Sequence, residues 1–293
     1  MGAEGYEIVA AQMVPDYPFV SDEFIAFTEK CRERYGIGPV CYGANMDRGI
    51  LRDRDLTEDE MVARAITDIV SANRLGCGIM REQYLLSPQG LVRLAPYAEA
   101  YGVKIGIEIH NPETPNTPVM REYLDAIKGS GSGCLGFVLD FGCFATKPNK
   151  PYWDRALAAG APQEVLERMA QLRYDEVPQE EAMGILMPDL QKYPVLFGTL
   201  SSMYGFVQFR RSCDKELEGM KEIMPYIFHM HGKCHYVSEE LEEASIPYEK
   251  IIPAIQATDY DGYIVTEYED EGGYDAVEMT RRHVAMMKKL LGK

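Results

Sequence analysis

The sequence predicts a (β/α) barrel, a parallel sheet wrapped by helices, and three observations carry that prediction. Short β-rich runs alternate with amphipathic helical stretches along almost the whole chain. Ionisable residues recur where several of those β-rich runs end. A length of 293 residues suits one barrel, and no Gly/Ser linker or low-complexity tract demands a second core. The apolar share of 46% and the charged share of 26% are those of an ordinary globular chain, which excludes wholesale disorder.

Taken in order, Tyr6-Glu7-Ile8-Val9-Ala10-Ala11 reads as the first strand. Ser21 caps a helix that reaches Tyr35, with Asp22 and Glu23 in the first turn where the helix dipole favours acids. Pro39 to Gly43 is the next strand. Thr57-Glu58-Asp59-Glu60 has capping-box spacing, and Met61, Val62, Ala65, Ile66, Ile69 and Val70 recur at helical intervals behind it. Gly76 to Glu82 is a strand, and Ser87-Pro88 supplies a cap followed by proline at the first helical position. Val103 to Glu108, Leu135 to Asp140, Tyr226 to His231 and Tyr263 to Glu267 complete seven strands. Helices are expected from Thr117-Pro118 and from near Pro247 and Tyr274. The acidic run Glu239-Glu240-Leu241-Glu242-Glu243 is expected to be a solvated helix face.

Residues 147–224 are too long for one crossover and contain several helical patterns. They are expected as a helical insertion on the ligand-binding rim, before the penultimate strand of a single barrel domain spanning 1–293. Gly2-Ala3-Glu4-Gly5 looks like the turn that ends a helix before a strand. The barrel is therefore expected to lack its first β/α unit, to leave a gap between its first and last strands, and to oligomerise.

Charge narrows the function classes. Thirty Lys+Arg against 46 Asp+Glu give a net charge of −16, which repels nucleic-acid phosphates and anionic lipid. The start of the chain has no signal-peptide pattern, and no stretch is long and apolar enough to span a bilayer. Seven scattered cysteines without CxxC spacing suit a reducing compartment, so a cytoplasmic location is expected.

Glu108, Asp140, His231 and Glu267 stand at the carboxyl ends of four different strands, the end at which barrels assemble their active sites. Three carboxylates and an imidazole facing one another would repel unless a cation sat among them. Oxygen-rich ligation with one nitrogen suits Mn²⁺, with Mg²⁺ or Co²⁺ as alternatives, better than a Cys-rich structural zinc site. The plain alternative, strand-end polar groups satisfied by loop amides, explains one such residue more readily than four. His110 leaves the strand two residues beyond Glu108, where a neutral imidazole can take a proton from a carbon beside a carbonyl. Lys233 can stabilise a developing oxyanion or hold a substrate hydroxyl, or it can be a surface lysine. Arg81 and Gln83 are candidate substrate contacts, with a solvated loop as the favoured reading. Glu271-Gly272-Gly273 could let backbone approach a phosphate, although a plain loop explains it better.

The stretches Ile107-Glu108-Ile109-His110, Val138-Leu139-Asp140, His229-Met230-His231-Gly232-Lys233 and Val265-Thr266-Glu267 together resemble the sugar isomerase/epimerase superfamily, the xylose-isomerase-like TIM barrels. The resemblance covers nearly the whole chain except the insertion. It implies a TIM-type (β/α) barrel in which Glu108, Asp140, His231 and Glu267 hold one divalent metal. It also implies that His231 is the ligand and that His229 points away, within the strand or towards packing. Many members carry a histidine three residues after the Asp, where this chain has Cys143, expected as a packed thiol. The run from Glu108 to Pro112 and the long insertion also look like the α subunits of bacterial C-glycoside deglycosidases, which cleave the sugar–aryl C–C bond of 3-keto C-glycosides. That likeness implies His110 as acid/base, a metal that polarises the sugar carbonyl, and a small β subunit as partner.

The expected activity is metal-dependent proton transfer beside a bound carbonyl, favoured as cleavage of a keto-C-glycoside. A ketose or sugar-phosphate epimerase or isomerase is the alternative, with Glu108 or Glu267 doubling as a second base. A non-catalytic barrel acting as scaffold or regulator is the rival from another class.

Overall fold

A computed structural model describes residues 2–269 and 273–293. Glu271 and Gly272, from the stretch weighed above as a phosphate approach, lie outside the described residues.

The chain opens with β1 (Gly5–Val9), a helical turn α1 (Ala10–Met13) and α2 (Asp22–Tyr35). Then come β2 (Gly38–Gly43), α3 (Glu58–Arg74), β3 (Ile79–Glu82), α4 (Pro88–Tyr101), β4 (Lys104–Ile109), α5 (Pro118–Ser130) and β5 (Leu135–Asp140). After β5 lie α6 (Lys150–Ala158), α7 (Gln163–Tyr174), α8 (Gln179–Lys192), α9 (Val195–Tyr204) and α10 (Asp214–Ile223). The chain ends with β6 (Ile227–Cys234), α11 (Tyr248–Gln256), β7 (Ile264–Tyr268) and α12 (Ala276–Leu291). The strands form one parallel seven-stranded sheet in the order β1 to β7, an α/β barrel that is nearly closed. Its edges are β1 and β7, and no ladder joins them among the described residues. Curvature still brings the interior of β1 to β6, because Glu7 touches both His229 and His231.

Local chemistry explains the elements. Ser21 accepts the Phe24 N–H at the start of α2, and Gly36, in the left-handed region at φ 71°, ends that helix. Thr57 and Glu60 form the expected capping box, and Met61, Val62, Ala65 and Ile69 form the buried stripe behind it. Asp275 caps α12 by accepting the Glu278 N–H. All six residues of β5 are buried, so it reads as a continuous apolar run rather than an alternating one. Gly136 is required there, since a Cβ would run into the Tyr226 carbonyl and the Phe228 ring.

Three expectations need correction. The third strand begins at Ile79 and not Gly76, because Gly76, at φ 73°, makes the turn that closes α3. The first strand stops at Val9, since Ala10 already belongs to a helical turn. The acidic run from Glu239 to Glu243 is a turn and not a helix face. Leu241 there has φ 64°, and the Glu243 carboxylate accepts the backbone N–H groups of His235, Ser245 and Ile246. Those donors use the acid to close a loop, which helical periodicity cannot reveal.

Behind the sheet, a buried polar chain ties α11 and α12 to β6 and β7. Tyr248 donates its single hydroxyl proton to the Lys233 carbonyl at 2.7 Å. The Tyr248 oxygen must therefore accept from His283 Nε2, 2.7 Å away, and His283 Nδ1 accepts from the Thr266 hydroxyl at 3.0 Å. In this chain His283 is neutral, because burial pushes its pKa down to about 3.

Unfolding restores an ordinary imidazole, so the unfolded chain binds more protons between about pH 6.5 and 3. The stabilisation from neutral His283 is complete above that window and is lost as pH falls through it. Denaturant midpoints measured from pH 7 to 5 should drop by more in the parent than in His283→Gln. The difference should approach about 1.4 kcal/mol per pH unit below 6.5; equal slopes would remove His283 from the account.

Candidate metal centre and cleft

Strand register builds the site. In neighbouring strands Asp140 lies beside His231, and Lys233 beside Glu267. Residues two apart on a strand share a face, so His229, His231 and Lys233 all point into the barrel. This corrects the expectation that His229 points away. It lies one layer below His231, fully buried, with Nε2 3.1 Å from Glu7 Oε2.

Ligand atoms of Glu108, Asp140, His231 and Glu267 all lie within 4.8 Å of one another. His231 Nδ1 is 2.9 Å from Glu108 Oε1 and 3.4 Å from Glu267 Oε2. Asp140 spends Oδ1 on the Gly142 N–H at 2.6 Å, which turns Oδ2 towards the other three. The set fits a divalent cation on the state of its buried atoms. Asp140 Oδ2, His231 Nδ1 and Glu267 Oε2 each lack a hydrogen bond of good geometry among the described residues. Three oxygen donors and one imidazole nitrogen are the chemistry of a hard to borderline cation.

The protein's own cations surround this group. Lys233 is buried, not on the surface, with Nζ 3.0 Å from Asp140 Oδ2, 2.9 Å from Glu267 Oε2 and 2.7 Å from Glu269 Oε1. Arg81 is likewise buried rather than in a solvated loop, 3.6 Å from Glu108 and 3.7 Å from Glu7. Burial alone would push all these carboxyls up. In Glu108 that effect is outweighed by Arg81 and His231, which bring it to about 2. Glu267 is held well below the usual range against the same burial by Lys233 and His231. For Asp140 burial wins over Lys233, with the Glu267 charge adding to it, and raises the carboxyl to about 6.

Above the four donors opens a cleft of about 530 Å³ lined by Arg81, Gln83, Glu108, His110, Glu267 and Glu269, with Tyr84, Leu85, Asn111 and Phe206. His110 Nδ1 is 2.7 Å from the Asn111 carbonyl, so it carries the proton, and Nε2 is left as a lone pair. That Nε2 is 3.4 Å from Lys233 Nζ and 3.7 Å from Asp140 Oδ2. Asn111 fixes the loop by donating Nδ2–H to the Gly142 carbonyl at 2.9 Å. Phe206, 71% exposed, packs edge-on against the His110 ring. Cys143 is a packed thiol, as expected, its pKa pushed well up by burial.

Every predicted site residue thus lies in or under this cleft. Sequence reasoning missed Glu7, Glu269 and Phe206. Glu7 had a signal, as the one charged residue of the strand Gly5–Val9. Glu269 follows the last strand by one residue, and Phe206 lies within the insertion, where nothing local marks it.

No protein-family model matches the chain. Among curated proteins it is similar to a C-glycoside deglycosidase alpha subunit from Arthrobacter globiformis, 28% identical over 302 residues, covering 98% of this chain and 82% of the relative. A 3'-dehydrocarminate deglycosidase alpha subunit from Microbacterium sp is 28% identical over 301 residues, covering 99% of this chain and 86% of the relative. Among solved structures, a D-psicose 3-epimerase determined in the presence of D-fructose superposes with TM-score 0.58 at 14% identity, covering 100% of this chain and 90% of that one. A xylose isomerase-like TIM barrel protein from Mycobacterium smegmatis in complex with magnesium superposes with TM-score 0.54 at 13% identity, covering 99% and 85%. The structural likenesses establish the fold, and the resemblance to the deglycosidase alpha subunits stands on the sequence over nearly full length.

Purified protein should hold close to one divalent ion per chain, measured by elemental analysis. Glu108→Gln, Asp140→Asn, His231→Ala and Glu267→Gln should each lower that content strongly. Retention of the ion by all four variants would refute the donor set.

Proposed function

We propose that the chain is a divalent-metal-dependent enzyme that moves protons beside the carbonyl of a sugar derivative, with a keto-C-glycoside as the favoured substrate and cleavage of its sugar–aryl C–C bond as the favoured reaction. The observation that carries this reading is the four-donor group at the floor of a cleft whose wall presents His110 Nε2. Bound there, a divalent ion such as Mn²⁺ would polarise a substrate carbonyl and lower the cost of removing the neighbouring proton. A scaffold barrel would gain nothing from burying these carboxylates together.

The roles of the residues follow from their positions. His110 Nε2 takes the proton from the carbon between the carbonyl and the anomeric carbon. The electrons released form the sugar double bond as the C–C bond to the aromatic ring breaks, and that pair stays on the aryl carbon. Delivering the proton to this carbon restores His110 to its neutral form and balances the step. Lys233, held by three carboxylates, keeps a fixed positive charge beside Nε2 and beside any oxygen that gains negative charge. Arg81 and Gln83 line the cleft as contacts for sugar hydroxyls. Phe206 shields one edge of the His110 ring from water.

The alpha-subunit names of the curated relatives support a partner subunit for this chain. All seven cysteines are free thiols, which supports a cytoplasmic location. No helix among the described residues is long and apolar enough to cross a membrane. An epimerase of the same superfamily is the second reading. It is favoured by Glu108 and Glu267 both reaching the cleft, where either could act as a second base.

His110→Ala should keep its metal and lose turnover of a 3-keto C-glycoside by about 10²- to 10⁴-fold, the range for general acid–base groups. Turnover equal to the parent would make His110 a bystander. Interconversion of a ketose epimer pair without aglycone release would favour the second reading.

A further inference from the structure

One buried carboxylate in contact with the site has no part in the function proposed above. Glu7, on β1, has only 7% of its side chain exposed. Its Oε2 is 2.9 Å from His231 Nε2 and 3.1 Å from His229 Nε2, and its Oε1 is 3.7 Å from Arg81 Nε. Strand register sets Cys41 beside it, and a Glu7 carboxylate oxygen lies within 4.8 Å of the Cys41 sulfur.

An ionised carboxylate only accepts hydrogen bonds, so the hydrogen in each of these contacts belongs to the partner. Both imidazoles therefore carry N–H at Nε2. A ligating imidazole is neutral and has one N–H, so in that form His231 Nδ1 is the lone pair, on the ring edge facing Glu108 and Glu267 at 2.9 and 3.4 Å. That form can bind a cation, whereas the opposite tautomer would aim an N–H at it.

We infer that Glu7 is a positioning residue: by accepting the Nε2–H of His231 it fixes both the orientation and the tautomer that turn Nδ1 into the four-donor group. His229, sharing Oε2, holds the carboxylate from the layer below. Arg81 spans Glu7 and Glu108, so the supporting and donor layers are joined through an ion pair as well as through His231. A carboxylate in this second layer also raises the basicity of the imidazole it holds.

A competing use exists, because ligand atoms of Glu7, Cys41 and His229 lie within 4.8 Å of one another and could themselves hold a cation. The contacts oppose it. Glu7 Oε2 is already occupied by two imidazole N–H groups, and the Arg81 guanidinium stands beside Oε1. A second cation would have to displace those protons next to a permanent positive charge.

The inference rests on the metal reading of the four donors, and the experiment separates the two. Calorimetric titration with Mn²⁺ should give one site in the parent and in Glu7→Gln, about 10- to 100-fold weaker in the variant. In Zn²⁺-loaded, ¹⁵N-labelled parent, long-range ¹H–¹⁵N spectra should show His231 protonated at Nε2 and ligated at Nδ1. That spectrum needs no variant and decides the matter if Glu7→Gln does not fold. Parent-like affinity in Glu7→Gln, or ligation of His231 through Nε2, overturns the inference. So does a second bound ion that is lost in both Glu7→Gln and Cys41→Ser. A parent that binds no Mn²⁺ defeats the metal reading itself and this inference with it.

Discussion

The site is organised by the repulsion among carboxylates that the parallel sheet forces together at one end. Among the described residues, Glu7, Glu108, Asp140, Glu267 and Glu269 converge on one largely buried space at the foot of the cleft. The charged groups facing them are Arg81, Lys233 and His231. Burying like charges is costly unless each is paired, and each cation here is accordingly shared between two or three acids. Four atoms of these groups still lack a good hydrogen bond after that sharing, and three of them, Asp140 Oδ2, His231 Nδ1 and Glu267 Oε2, belong to the four-donor group. A divalent ion held by that group would complete the pairing, which gives the donor set a physical reason as well as a resemblance.

Precision in the site comes from regular structure rather than from loops. Parallel register sets Asp140 against His231 and Lys233 against Glu267, so two strands and their neighbours fix most of the distances. Behind them, the satisfied chain from Thr266 through His283 and Tyr248 to the Lys233 carbonyl ties two helices to the same two strands. Tyr248 also packs against Phe141, the residue after Asp140. Loops contribute reach: Asn111 pins His110 over the floor, and the insertion brings Phe206 across the cleft from far along the chain. Rigid strands thus hold the charges, and the loop at Asn111 and the insertion shape what can enter.

The misreadings share a cause. Lys233 was open to a surface reading and Arg81 to a loop reading because the default for a charged residue is solvent. Both are buried because carboxylates from other strands wait for them, and that pairing is invisible along the chain. His229 was set aside as pointing away, although the two-residue period of a strand already placed it on the face of His231. The acidic run at Glu239 to Glu243 carried helical composition, but backbone donors from residues on both sides of Glu243 recruited it to close a turn.

The sequence by itself determined the seven strands, the caps of several helices and the helix-rich stretch between the fifth and sixth strands, and it marked four candidate donors towards the carboxyl ends of their strands. These are local properties: alternation, capping geometry, and the position of a residue at the end of its own strand. Only the tertiary structure decided which charges neutralise one another, which nitrogen of each histidine is free, and that Glu7 supports His231 from the opposite side of the barrel. Those outcomes depend on the curvature of the sheet, which brings β1 against β6 across more than two hundred residues of chain. Curvature is the summed result of twist and packing over the whole barrel, so no local stretch of sequence carries it.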